Sequence, residues 1–129
     1  MIAVSKTNTG LVRTANEDAL LTDGPELFAI ADGMGGYAGG EIASVETIKV
    51  LKEEKKNFAG LTGEALCTAL KEAASKANSH LRSLVCKMPD YEGMGTTLVA
   101  VYLAEDKKAY ALNIGDSACI YGAMACLSR

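Results

Sequence analysis

The stretch Glu26-Leu27-Phe28-Ala29-Ile30-Ala31-Asp32-Gly33-Met34-Gly35-Gly36-Tyr37-Ala38-Gly39-Gly40 decides how this chain folds. Residues 26–32 are a short apolar run closed by a carboxylate, which predicts a buried strand. A glycine-rich segment follows, and the residues from there to about 55 predict a helix whose apolar stripe carries Ile42, Val45, Ile48 and Leu51. Residues 33–38 also fit G-x-G-x-x-A between strand and helix, the setting of a dinucleotide fingerprint. That fingerprint needs an acid about 20 residues on, at the tip of a second parallel strand. Glu53 and Glu54 stand instead at the end of a helix, and Asp32 at the mouth of the turn would repel a pyrophosphate. No G-K-[ST] follows, so a P-loop is excluded as well.

Upstream, residues 2–6 and 17–23 read as strands separated by a polar loop, and Gly24-Pro25 turns the second into a tight hairpin with 26–32. Downstream, Thr62 is the expected N-cap of a second helix, with Glu64 in its first turn and Leu66, Leu70, Ala73, Ala77, Leu81 and Leu84 at spacings of three and four. This helix should end near Pro89. Strands are then expected at 96–104, 109–114 and 118–121, with Glu105-Asp106-Lys107-Lys108 as a charged turn and Gly115-Asp116 as a break. Strands, two helices and strands again argue for one α+β domain over residues 1–129 with an antiparallel sheet.

Composition narrows the class. The 129 residues are 49% hydrophobic and 22% charged, as expected of one ordinary globular domain. Aromatics make up only 5%, so Ile, Leu, Val and Ala must build the core. A formal net charge of -3 gives no drive toward nucleic acid or anionic lipid. No signal peptide is legible at the N-terminus, and the longest apolar run, 98–104, is far short of the roughly 20 residues that span a bilayer. A cytoplasmic protein is expected, contacting neither nucleic acid nor membrane. Cys67, Cys86, Cys119 and Cys126 form no C-x-x-C pair and have no histidine at metal spacing, which predicts reduced, packed thiols and no zinc. His80, the single histidine, falls in the second helix and receives no catalytic role.

Asp32 is the informative acid, because the glycines after it leave backbone carbonyls accessible beside its carboxylate, and hard cations take such oxygens. Glu17 and Asp18 offer two more acids at the entry of a neighbouring strand, and Asp116 a fourth at a strand break. Strand pairing could gather them; alternatively Glu17 and Asp18 are solvated turn residues and Asp116 a turn former. Arg13, four residues before Glu17, could hold a phosphate bidentately near a bound dication, or form an ordinary surface ion pair.

Four motifs in order carry a family likeness: Gly10-Leu11-Val12-Arg13-Thr14-Ala15-Asn16-Glu17-Asp18, Ala31-Asp32-Gly33-Met34-Gly35-Gly36, Gly93-Met94-Gly95-Thr96-Thr97 and Asn113-Ile114-Gly115-Asp116-Ser117. Together they resemble the N-terminal half of the bacterial metal-dependent Ser/Thr protein phosphatases of type 2C. The resemblance implies an α-β-β-α sandwich of two antiparallel sheets flanked by helices, here truncated to about half. It implies hydrolysis of phosphoserine and phosphothreonine in phosphorylated proteins by a hydroxide bridging two Mn²⁺ or Mg²⁺ ions. By the same match Asp32 would bridge both metals, Gly33 would offer its carbonyl, Glu17 would ligate one metal, and Asp18 would hold ligand waters. Arg13 would grip the substrate phosphate, and Asp116 would serve a third, weaker metal. Met34 stands where many eukaryotic relatives carry a histidine proposed as general acid, a proton that methionine cannot give.

The later aspartates of the family's metal site would lie past Arg129. Residues 1–129 alone are therefore expected to bind metal weakly, to show low or no activity, and to self-associate through uncovered sheet surfaces. The alternative expectation is a catalytically incomplete pseudo-phosphatase or fragment that acts only as a binding or interaction module.

Overall fold

Along β2 (Leu27–Met34), Leu27, Ala29 and Ala31 are buried while Ile30 is 50% exposed, the period-two alternation of a strand with one face on a core. The computed structural model describes residues 18–35 and 39–115. β2 pairs antiparallel with β1 (Asp18–Asp23) on one side, through a turn in which Gly24 takes a φ of +64°. On its other side it pairs antiparallel with β4 (Leu98–Leu103), and β4 forms a hairpin with β5 (Ala109–Ile114). The strand order is β1-β2-β4-β5, and a two-residue strand, β3 (Gly95–Thr96), extends the pairing of β2 past Asp32.

Helices α1 (Gly39–Glu54) and α2 (Gly63–Lys87) cover one face of this sheet. Leu27, Ala29, Ala31, Leu98, Ala100, Tyr102, Tyr110 and Leu112 meet Ile48, Leu51, Leu66, Leu70 and Ala73 in one cluster. Phe58, from the connection between the helices, lies edge-on to Tyr102 with ring centroids 5.5 Å apart. Each fully buried leucine contributes about 1.5–3 kcal/mol. The described residues thus supply one helical layer and one antiparallel sheet. The strands expected at 2–6 and 118–121 lie outside the described residues, as do Cys119 and Cys126. No described helix is long and apolar enough to cross a membrane.

Several local expectations change. The buried face of α1 consists of Gly40, Ala43, Ser44, Thr47, Ile48 and Leu51, whereas Val45 is 37% exposed and Ile42 only half buried. Steps of three residues slip about 60° per step around a helix of 3.6 residues per turn, so the stripe Ile42-Val45-Ile48-Leu51 cannot stay on one face. The true face is small because the helix lies close to the sheet. The strand expected at 96–104 is interrupted at Thr97, and β2 continues through Gly33 and Met34 rather than stopping at Asp32. Cys67 is half buried against the core as expected, but Cys86 is exposed.

Thr62 occupies the N-cap of α2, yet its side chain makes no capping hydrogen bond. The Gly63 N–H donates instead to the Tyr110 hydroxyl at 2.8 Å, and that hydroxyl donates to Asp106 Oδ2 at 2.6 Å. A residue of β5 therefore caps a helix that starts 47 positions earlier. The Tyr110 hydrogen bond holds the Asp106 carboxyl below its ordinary 3.8, helped by the Lys108 N–H. Tyr110→Phe removes both bonds and should lower the melting midpoint by roughly 4 °C. Because the folded-state value of Asp106 is depressed, its contribution is complete above pH 3.8 and fades as pH falls through the folded value. Melting curves across pH should show the gap between wild type and variant narrowing in that acid range and again in alkali, as pH rises through the Tyr110 hydroxyl value, which the same Asp106 bond holds above its ordinary 10.0.

Candidate functional site

Asp18 and Asp32 stand directly opposite each other in the β1–β2 ladder. Ala19, Leu21, Ala29 and Ala31 pack toward the helices, so alternation sends both aspartates to the other face of the sheet. Cβ atoms of directly paired residues lie about 4.5–5.5 Å apart, and like charges so placed are destabilising. Each aspartate also has one carboxylate oxygen, Oδ1, buried from solvent.

The same row continues across the sheet. Thr97 donates its N–H to the Asp32 carbonyl at 2.9 Å, and the Asp32 N–H donates to Thr97 Oγ1 at 3.2 Å. Behind Thr97 comes Gly115, at φ +98°, where an added Cβ would stand only 2.7 Å from Thr97 Cγ2. Asp18, Asp32, Thr97 and Gly115 therefore form one row at one end of the sheet, and each comes from a different one of the four sequence motifs.

Gly33 sets the junction with α1. A Cβ built on Gly33 would fall inside the Gly40 carbonyl group, so the helix rests on the strand where a side chain is missing. Met94 closes the junction from the side, within 3.0 Å of the Cβ positions of both Gly35 and Gly39. The glycines thus have a packing reason independent of any ligand.

Of the residues singled out in the sequence, the structure brings Asp18, Asp32 and Gly33 together. Arg13, Glu17 and Asp116 lie outside the described residues. Among the described residues, no group of three or more His, Cys, Asp or Glu side chains gathers to hold a metal ion. Met34 ends β2 opposite Gly95 and is more than half exposed. His80 faces Glu46 across the α1–α2 interface, with Nε2 3.5 Å from Oε1. The sequence reading missed two residues. Thr97 is one; the other is Asn113, whose buried Oδ1 has no hydrogen-bond partner among the described residues and which shares the Asp32 face through the row Asn113, Val99, Ile30, Leu20. Both belong to motifs whose glycines and acids drew the attention.

Two facing carboxylates make an all-oxygen donor set. Such a set suits a hard divalent cation, whose charge would offset the repulsion between the aspartates. The residues present therefore fit Mn²⁺ or Mg²⁺ and not zinc, which favours nitrogen and sulfur.

Residues 12–126 match the sequence profile described as "Protein phosphatase 2C". The chain belongs to the protein phosphatase 2C family. It is 41% identical over 113 residues to the serine/threonine protein phosphatase PstP of Mycobacterium tuberculosis, a match covering 88% of this chain and 21% of that protein. It is 34% identical over 122 residues to the serine/threonine phosphatase stp of Listeria monocytogenes, covering 91% of this chain and 48% of that one. A crystal structure of M. tuberculosis PstP superposes with a TM-score of 0.77 at 40% identity, over 86% of this chain and 45% of the PstP chain. A second, of the PstP catalytic domain in complex with two manganese ions, gives a TM-score of 0.66 at 41% identity, over 75% and 40%. The chain thus spans a fifth to a half of the relatives it matches, and its helices and antiparallel sheet are the protein phosphatase 2C fold over that shared part.

Proposed function

We propose that this chain is the N-terminal part of a Mn²⁺- or Mg²⁺-dependent protein serine/threonine phosphatase that hydrolyses phosphoserine and phosphothreonine in cytoplasmic proteins. The row Asp18–Asp32–Thr97–Gly115 carries the reading, because it joins the four family motifs at one sheet end and sets two carboxylates face to face. The manganese ions bound by the PstP catalytic domain support the same chemistry. Ile30, half exposed on the outer sheet face, offers a surface for a second copy.

In this reading Asp32, Glu17 and the Gly33 carbonyl would hold the metal ions, and Asp18, on the adjacent strand, would orient their ligand waters. When bound, the dications supply a water acidified to neutral pH and charge to offset the phosphoryl oxygens. Arg13 holds the substrate phosphate bidentately and so orients it for in-line displacement. Asp116 contributes to a weaker third ion. Met34 has no proton to give, so the leaving alkoxide takes its proton from water.

Phosphate release from a phosphothreonine peptide by purified residues 1–129, with Mn²⁺ or with chelator, tests the proposal alongside calorimetric Mn²⁺ titration. Saturable Mn²⁺ binding supports the site, and Mn²⁺-dependent release supports the activity. A folded sample with neither overturns the reading for this chain.

A further inference from the structure

Thr97 does something that no regular strand residue does. In an ordinary antiparallel row, the Asp32 N–H would bond a main-chain carbonyl of the neighbouring strand. Here a side-chain hydroxyl, Thr97 Oγ1, accepts it at 3.2 Å, while the Thr97 carbonyl accepts the Thr96 hydroxyl at 2.8 Å. The break between β3 and β4 is thus a two-threonine device, in which one hydroxyl occupies the turned carbonyl and the other takes its place against β2. The Thr97 N–H completes the clamp on the Asp32 carbonyl at 2.9 Å.

The clamp is held from behind. Thr97 is 4% exposed, and its Cγ2 packs so closely on Gly115 that a Cβ there would collide with it. A β-branched side chain has few χ1 states, so contact of Cγ2 with Gly115 fixes where Oγ1 points. Both main-chain polar groups of Asp32 are thereby tied to one buried residue, and this orients the bond from which the carboxylate hangs.

We propose that Thr97 is a positioning residue for the metal site, its hydroxyl fixing the Asp32 main chain and with it the direction of the carboxylate. The inference rests on the metal-site reading above. Partners that orient a ligand in this way typically change metal affinity by 10–100-fold when removed.

Calorimetric Mn²⁺ titration of the purified 129-residue chain tests it with three substitutions, each also melted in chelator. Thr97→Val keeps the branched shape without the hydroxyl and should weaken Mn²⁺ binding about tenfold. Thr97→Ser and Thr97→Ala both lose Cγ2 and differ only in the hydroxyl, so serine should bind about tenfold more tightly than alanine. That pair decides the matter even if the valine variant does not fold. A merely structural role would lower the metal-free melting midpoint and leave the affinity of folded protein unchanged; serine and alanine with equal affinities would overturn the inference alone. Wild type that binds no Mn²⁺ would overturn the metal-site reading and this inference with it.

Discussion

Asp32→Asn is expected to weaken Mn²⁺ binding and any Mn²⁺-dependent phosphate release by on the order of 100-fold or more, since a direct ligand matters more than the outer partners that orient it. The same substitution should leave the metal-free chain as stable as wild type, or more stable by about 0.2–1 kcal/mol. It removes one of two like charges that face each other in the β1–β2 ladder. The amide keeps the size of the carboxylate, and the main-chain bonds to Thr97 do not involve it. Opposite signs on binding and on stability separate a carboxylate kept for a cation from one kept for the fold. Urea unfolding in chelator, paired with Mn²⁺ titration, reads both. A metal-free loss above about 2 kcal/mol, of the size that follows removal of a buried polar partner, would assign Asp32 to structure and count against the metal site.

Much of this arrangement was legible from residue order, and the parts that were not share a cause. The strands expected at 26–32 and 96–104 are legible as apolar runs bounded by turn residues, although the first runs on to Met34 and the second breaks at Thr97, and α2 is legible by its leucines at spacings of three and four. Asp18 and Asp32 were each visible as acids at strand ends. Their direct opposition was not, because register is a property of two strands and follows from the turn at 24–26 and the alternation on both sides. Local chemistry favours Thr62 as the cap, yet the hydroxyl that caps α2 belongs to Tyr110, 47 residues past Gly63. Thr96 and Thr97 suit a strand so well that no local signal marks the break between them, and only the partner strand reveals it. The α1 stripe fails differently: hydrophobicity singles out the large residues Ile42 and Val45, while close approach to the sheet selects the small ones, Gly40, Ala43 and Ser44. Long-range pairing and close packing are thus what composition and periodicity leave open. Arg13, Glu17 and Asp116 fall outside the described residues, so their roles rest on family resemblance.

Gly33→Ala should be the most damaging single methyl group that can be added near the site. Its Cβ would enter the Gly40 carbonyl group, and main chain cannot rotate aside as a flexible side chain does. Either β2 or the first turn of α1 must move, and overpacking of this kind costs roughly 3 kcal/mol, a large share of a domain's net 5–15 kcal/mol. Gly95→Ala is the internal control. It sits one rung away, opposite Met34, its backbone needs no left-handed conformation, and its new Cβ would find nothing nearer than Met34 Cγ at 3.7 Å. A glycine replaced at a compatible site gains about 0.4–1 kcal/mol from the unfolded chain, so this variant should be neutral or slightly stabilising. Urea midpoints of the two proteins should therefore move in opposite directions. If Gly33→Ala folds at all, displacement of α1 from the strand will turn the Gly33 main chain beside Asp32, and Mn²⁺ affinity should fall with stability. A Gly33→Ala protein as stable as wild type would show that the helix can yield at this junction, and the packing reason for glycine beside Asp32 would be lost.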